Sequence, residues 1–341
     1  MGRSLSDLIV FIAKRLVLLV PVILGVMVLT FFFTHLNLAD VCNAWYPHAS
    51  SATIRNCETT INQPISTQFL QYLSNLGHGN WGTDVHANPV YPVIVSALPA
   101  TLELVLTSLF LMIVIGIPLG VIAAQFSGRW PDHLVRVFYL SGWATPTYLG
   151  AVIAAVFLGP ALGLPTGGEF STKSLPFAQP THMSVLDALL ALNLPYTVDA
   201  ISHLILPATV LAFINMGIAT RMTRSSMLEV LPLDYVRSAR MKGLSEFWVM
   251  YKHALRNALI TTTTVLGITA GGLLSGTVVV EEVFSWPGIG QYAFAAIGGG
   301  GSDQNFAGAE AVVIVFAVAV VVANLVADIL YGLLDPRVDW R

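Results

Sequence analysis

Six apolar runs alternate with polar segments along the chain, at 9–36, 101–126, 134–158, 201–224, 258–282 and 308–333. Each is long enough to cross the hydrocarbon core of a bilayer, which takes about 20 residues of helix. Long stretches within them, such as 104–128 and 137–168, hold no Asp, Glu, Lys or Arg. A charge at the centre of such a helix costs about 2.5–3.5 kcal/mol on insertion scales, so the gaps identify lipid as the solvent. Buried helices of a water-soluble protein would instead show amphipathic stripes and charged faces. The pattern predicts an all-α polytopic membrane protein of six transmembrane helices, folded as one domain over 1–341.

Composition agrees. Only 10% of residues are charged and 55% are hydrophobic, whereas soluble proteins carry about 25% charged residues. The net charge of −3 is uninformative; the placement of charge is not. With six spans both termini share a side. All but two of the sixteen basic residues, Arg55 and Lys173, then fall on that side. Positive residues stay in the cytoplasm, so both termini are expected there. The first apolar run, Leu16–Phe33, is too long for a signal-peptide core of about 7–15 residues and is expected to be retained as a span.

The outer segments have a different texture. The segment 37–98 is rich in Asn, Ser, Thr, His and Tyr and holds both cysteines, Cys42 and Cys57. An external location permits a disulfide, and closing a loop of about 15 residues contributes roughly 3 kcal/mol in the chain-entropy view. A pair of free thiols is the alternative. No paired ligands lie nearby to suggest zinc. Further on, 284–306 contains Trp286, Pro287, Gly288 and Gly290, an outer-loop turn whose backbone passes close to a neighbour. Trp286 and Tyr292 suit the interfacial aromatic belt.

The inner side carries one long polar segment, a cytoplasmic loop at 225–257 whose core, with its flank, runs from Asp234 to Leu259 and reads DYVRSARMKGLSEFWVMYKHALRNAL. Gly243 divides it into two helical halves, since glycine readily takes the left-handed conformation that ends a helix. Ser245 is placed to cap the second half, with Glu246 in its first turn. Arg237, Arg240, Lys242, Lys252 and Arg256 make the segment strongly basic. It reads as a docking element for a protein partner or for anionic lipid headgroups.

No chemistry of the chain's own is evident. There is no G-x-x-x-x-G-K-[ST] phosphate loop, no H-E-x-x-H and no G-x-S-x-G. The eight histidines are scattered, and neither a metal site nor a nucleic-acid surface is expected. Ionisable residues near spans are functional candidates by default. Glu103, Glu281, Glu282, Glu310 and Asp328 lie near the expected span ends, Asp328 the deepest. A stand-alone secondary transporter would more often place such groups at midplane; that class and a channel remain the alternatives of another kind.

The basic element resembles the EAA-type loop of ABC importer permeases, the segment that contacts ATP-binding subunits. Ser238, Ala239 and Gly243 fit its first part and His253, Leu255 and Asn257 its later part. Arg237 stands where the general pattern has Glu, and Arg256 where it has Pro. Both departures are similar to the B-type permeases of the dipeptide/oligopeptide/nickel branch, which carry D-Y-V-R-T-A-R-A-K-G-L and H-A-L-R-N-A. LPATLELVLTSL (98–109), IGIPLGVIAA (115–124), HLILPATVLA (203–212), TRMTRSSMLEVL (220–231), EEVFSWPGIGQ (281–291) and LYGLLDPRV (330–338) resemble the same family in order and spacing. The resemblance implies a type I importer fold with a cytoplasmic coupling helix. It implies one half of a translocation path shared with a second, homologous permease, two cytoplasmic ATP-binding subunits and an external substrate-binding protein. ATP and Mg would sit on the partners, with no cofactor in this chain and no catalysis by it. The implied coupling residues are Arg237, Ser238, Ala239, Arg240, Gly243, Leu244, His253, Leu255 and Asn257. Phe247, Trp248, Tyr251 and Leu255 would offer apolar contact. Relatives of this class carry peptides, oligosaccharides or metal chelates, and these solutes stay open at this point.

Non-reducing mass spectrometry of peptides spanning Cys42 and Cys57 is expected to return one crosslinked species. Alkylatable thiols in the native protein would refute the bridge.

Overall fold

Long helices dominate the structure, a computed structural model that describes residues 5–35, 42, 51, 54, 55, 59, 62–84, 88–172, 174–298 and 305–334. They are α1 (Leu5–His35), α2 (Ile65–Gly77), α3 (Val90–Gln125), α4 (Trp130–Ala144), α5 (Thr147–Leu162), α6 (Ser184–Leu190), α7 (Leu194–Val230), α8 (Asp234–Met241), α9 (Glu246–Val283), α10 (Ile289–Gly298) and α11 (Phe306–Leu334). Five of them, α1, α3, α7, α9 and α11, are long and apolar enough to cross a membrane. No β-strand occurs among the described residues, so the backbone is satisfied within helices, as lipid requires.

The expected third span, 134–158, is a broken one. Helices α4 and α5 cover it but meet at a bend of 104°. Pro146 is the cause: the residue before a proline is pushed out of the helical region, and Thr145 is extended with φ −83° and ψ 120°. The sixth span exists only if this bent pair counts as one. Pro118 and Pro207, by contrast, lie inside continuous helices. Helices α3 and α7 also run well past the expected spans, with 36 and 37 residues, or about 54–56 Å at 1.5 Å per residue. A hydrocarbon core is about 30 Å thick, so their ends project beyond it and carry the sites described below.

The bundle is built on the α3–α7 seam. Gly116 and Gly120 of α3, spaced as G-x-x-x-G, face Ala219, Thr220 and Thr223 of α7. Small residues bring the two backbones close, which is how helices associate where lipid removes the hydrophobic drive. Thr220 Oγ1 donates to Gly116 O at 3.1 Å across the seam. Leu104, Leu211, Leu273 and Leu274 extend this core to α9, and α11 packs on the far side of α9. Helix α1 lies against α11 and is exposed along most of its length. Arg15 Nη1 meets Asp328 Oδ2 at 2.9 Å there, which accounts for the deepest of the ionisable residues picked out from the sequence. Phe31 at the other end of α1 is buried against the rings of Phe69 and Tyr72 in α2. Cys42 is disulfide-bonded; Cys57 lies outside the described residues.

A Cβ at Gly120 would stand 2.6 Å from Thr223 Cβ and 2.7 Å from Thr220 O. Gly120→Leu is therefore expected to lower the thermal stability of the purified protein by about 1–3 kcal/mol. Gly272→Leu, where an added Cβ meets nothing within 4 Å, should leave it unchanged.

Candidate functional site

The basic end of the bundle carries the element divided by Gly243. Helix α7 stops at Val230, the chain turns through Leu231–Leu233, and α8 starts with Asp234 in its first turn. Lys242 ends α8, and Gly243 follows with φ +76°, the left-handed conformation expected of it. Ser245 occupies the N-cap position of α9, but its side chain makes no capping hydrogen bond. Arg240 closes the turn instead: its Nε and Nη2 donate to the two carboxylate oxygens of Glu246 at 3.2 and 2.7 Å. The two-point geometry favours one arrangement of a planar guanidinium and a carboxylate. Both side chains are largely solvated, so the pair is worth little in stability. It orients the turn. Asn257 adds a second tie, donating to Tyr235 Oη at 2.8 Å.

One face of the element is committed to the bundle. Val236 and Ala239 of α8 pack with Val249, Met250, Ala254, Leu255 and Ala258 of α9 onto Val121 and Ala124 of α3 and Met227 of α7. Residues Val249–Ala254 adopt a π-helical turn, the wide form often found at functional sites. Two of the residues read as coupling contacts, Ala239 and Leu255, are only 5% and 8% exposed. They hold the element in place rather than offering a surface. The outward face consists of Tyr235, Met241, Leu244, Phe247 and Trp248, with Arg237, Lys242, Lys252 and Arg256 among them. Phe247 stacks on Tyr251 at 4.7 Å, and Lys252 Nζ sits 5.7 Å from the Trp248 ring centre. Ser238 and His253 are half-buried. An exposed apolar patch rimmed by cations is the signature of an interaction surface.

A buried carboxylate that the sequence reading missed anchors the same end. Asp132, in the first turn of α4, is fully buried. It receives Arg224 Nε and Nη2 from α7 at 2.8 and 2.9 Å, Arg136 from its own helix, and the Gly128 amide at 2.9 Å. The i, i+4 spacing of Asp132 and Arg136 was visible in the sequence; the contribution of Arg224, 92 residues away, was not.

The opposite end contains the turn expected in an outer loop. Glu281 is buried there. Its Oε1 accepts Thr101 Oγ1 at 2.8 Å and its Oε2 the Gln291 amide at 3.0 Å. Thr101 Oγ1 in turn accepts the Ile289 amide at 2.8 Å, and the Trp286 amide donates to Glu281 O at 2.8 Å. Trp286 is 0% exposed, with its Nε1 donating to Ala100 O at 2.9 Å. The aromatic-belt reading of Trp286 is thus wrong: a partner for its indole N–H lies inside the protein. Tyr292 is half-buried, and its Oη accepts Asn305 Nδ2 at 3.0 Å. Pro287 turns the chain, and Gly288 and Gly290 leave room for the Glu281 carboxylate, which an added Cβ would crowd at either position. Glu103 has a similar structural task, accepting the Ser184 and Val185 amides at 2.8 and 2.9 Å at the start of α6.

Comparisons with known proteins converge. The family described as "Binding-protein-dependent transport system inner membrane component" matches residues 116–340. The probable D,D-dipeptide transport system permease protein of Escherichia coli (strain K12) is 40% identical over 325 residues, covering 94% of each chain. A dipeptide transport system permease protein of Alkalihalophilus pseudofirmus is 36% identical, covering 96% of this chain and 98% of its own. An oligopeptide transport system permease protein of Bacillus subtilis is 34% identical, covering 97% and 99%.

Thr101→Val removes a donor to Glu281 and the acceptor of the Ile289 amide. It is expected to lower stability by about 1–3 kcal/mol, the usual penalty for stranded buried polar groups. Thr101→Ser should restore most of it in the same thermal melt; equal melts for all three proteins would remove Glu281 from its anchoring role.

Proposed function

The chain belongs to the family of binding-protein-dependent transport system inner membrane components, and from that membership we propose that it is one permease of an ATP-driven importer of short peptides. Its relatives are dipeptide and oligopeptide permeases by name, which favours peptides over the sugars and metal chelates left open above. It forms half of a translocation path with a second permease. Two cytoplasmic ATP-binding subunits supply the energy and bind the ATP and Mg, and an external binding protein delivers the solute. The chain itself contributes no catalysis and holds no cofactor. Lys and Arg asymmetry places both termini and the Gly243 element in the cytoplasm and the Glu281 turn outside.

The observation that carries this reading is the two-sided nature of the element from Asp234 to Leu259. Its inward face is packed on α3 and α7, while Phe247, Trp248 and Leu244 remain exposed among cations. Such a body transmits force. A partner gripping the outward face moves the inward face, and with it the basic ends of α7 and α9, which are its direct continuations. ATP-driven closure of the two ATP-binding subunits would tilt these helices and switch the cavity between inward- and outward-facing; hydrolysis would reset it. Because the basic end is braced by Asp132 between Arg136 and Arg224, the motion spreads to α4 instead of dissipating in the α3–α4 turn.

Gly243 tests the lever. Its φ of +76° costs an L-residue roughly 1–2 kcal/mol, and a β-branched side chain tolerates it worst. Gly243→Val in the assembled transporter is expected to lower peptide uptake per ATP hydrolysed severalfold, whereas Gly243→Asn, which accepts the conformation, should retain most of it. A Gly243→Val complex that assembles and couples at the native ratio would overturn the assignment.

A further inference from the structure

A cavity of about 670 Å³ opens beside the Glu281 turn, between the start of α3, the residues Glu169, Gln179 and His182, and α10. Its polar wall is made by Glu169, Glu282, Gln179, Gln291, Tyr292 and Ser96. Its apolar wall is made of small groups, including Val93, Ala97 and Ala100. Among the described residues no Lys or Arg lines it. The volume lies within the usual range for small-molecule sites, about 300–1,000 Å³, and exceeds what a dipeptide fills.

The carboxylates around this cavity are not equivalent. Glu103 engages both oxygens with Ser184 and Val185. Asp187 engages Oδ1 with the Thr181 amide and hydroxyl at 3.0 and 2.7 Å. Glu169 Oε1 is buried with no hydrogen-bond partner, and so is Asp187 Oδ2. Buried carboxylate oxygens without donors are rare and call for a missing one. Among the described residues no three His, Cys, Asp or Glu side chains converge as a metal would need. An ammonium group asks for less: one or two carboxylates and a few neutral oxygens, which Gln179, Gln291, Tyr292 and Ser96 provide.

We infer that this cavity binds the protonated amino group of the transported solute, with Glu169 and Glu282 as its counter-charges. The inference rests on the peptide reading above, since every free peptide carries such a group at its N-terminus. Because Pro287, Gly288 and Gln291 belong to both the cavity and the Glu281 turn, an occupant touches the segment that ties α9 to α3.

The site has a pH signature. Burial, with Glu103 and Asp187 close by, pushes the Glu169 carboxyl up to about 8. His182, Glu282 and Tyr292 line the same cavity. Below that pH the carboxyl is protonated in the empty cavity, so an arriving ammonium displaces one proton to water, and binding strengthens as pH rises towards 8. Above it the peptide amine, with an ordinary value of about 7.7–8.0, loses its own proton and binding weakens again.

The test uses the assembled permease–ATPase complex in nanodiscs without the external binding protein. Alanyl-alanine and N-acetyl-alanyl-alanine are titrated and followed by ligand-observed NMR. Alanyl-alanine is expected to bind about tenfold or more tightly than its acetylated form, a difference of about 1.4 kcal/mol, with an affinity maximum near pH 8. Glu169→Gln should lose that preference and flatten the pH profile. Ser96→Leu, which projects a branched apolar side chain into the cavity and leaves both carboxylates in place, should weaken binding severalfold. Equal affinity for the two probes, or an unchanged Glu169→Gln variant, would overturn the inference. Uptake is followed separately in sealed proteoliposomes with the binding protein present: uptake that persists without amine binding leaves the transport reading standing, and amine binding in a complex that takes up no peptide there sinks the transport reading and supports the cavity.

Discussion

The carboxylate of Glu281 is the interaction on which the loop end depends. It lies at the end of a membrane-spanning helix, away from water, yet it gathers Thr101 from α3 and the Gln291 amide from α10 while its own backbone holds Trp286. An unpaired carboxylate at that depth is prohibitive. The same group, once surrounded by donors, forces three segments into one place. The turn through Trp286 and Pro287, the lining of the adjacent cavity and the start of α10 all follow from it. Gly288 and Gly290 are glycines because the carboxylate occupies the space that side chains would take.

The basic end solves the same problem with the charges reversed in number. One buried acid, Asp132, serves two arginines from different helices, and the turn between α3 and α4 closes on it through Gly128. Next to that clamp, the Gly243 element contributes an apolar face to the bundle and leaves another in solvent. Between the two ends lies a seam of small residues and aliphatic packing with few polar contacts.

Much of this was legible in the residues. Gly243 was read as a left-handed helix stop and has φ +76°. The polar and apolar alternation marked the long helices. Other parts were not legible, for reasons that differ. Trp286 looked like an interfacial aromatic because composition cannot reveal that Ala100 O waits for its N–H. Ala239 and Leu255 looked like contact residues because their motif marks them, yet the fold turns both inward. The third span was placed by its hydropathy, which is blind to the angle that Pro146 imposes.

That this chain lives in a membrane, how many apolar segments it offers, which polar element stands apart as basic, and the family to which it belongs could all be read from the residues in order. These are local properties: each residue's transfer into lipid, and each short motif, is readable where it stands. Which polar groups meet emerges with the packing of the helices. Thr101 and Glu281 are 180 residues apart and Asp132 and Arg224 are 92 apart. Nothing in the local pattern selects those partners, because the selection is made by helix packing and by the absence of water to serve any group left alone.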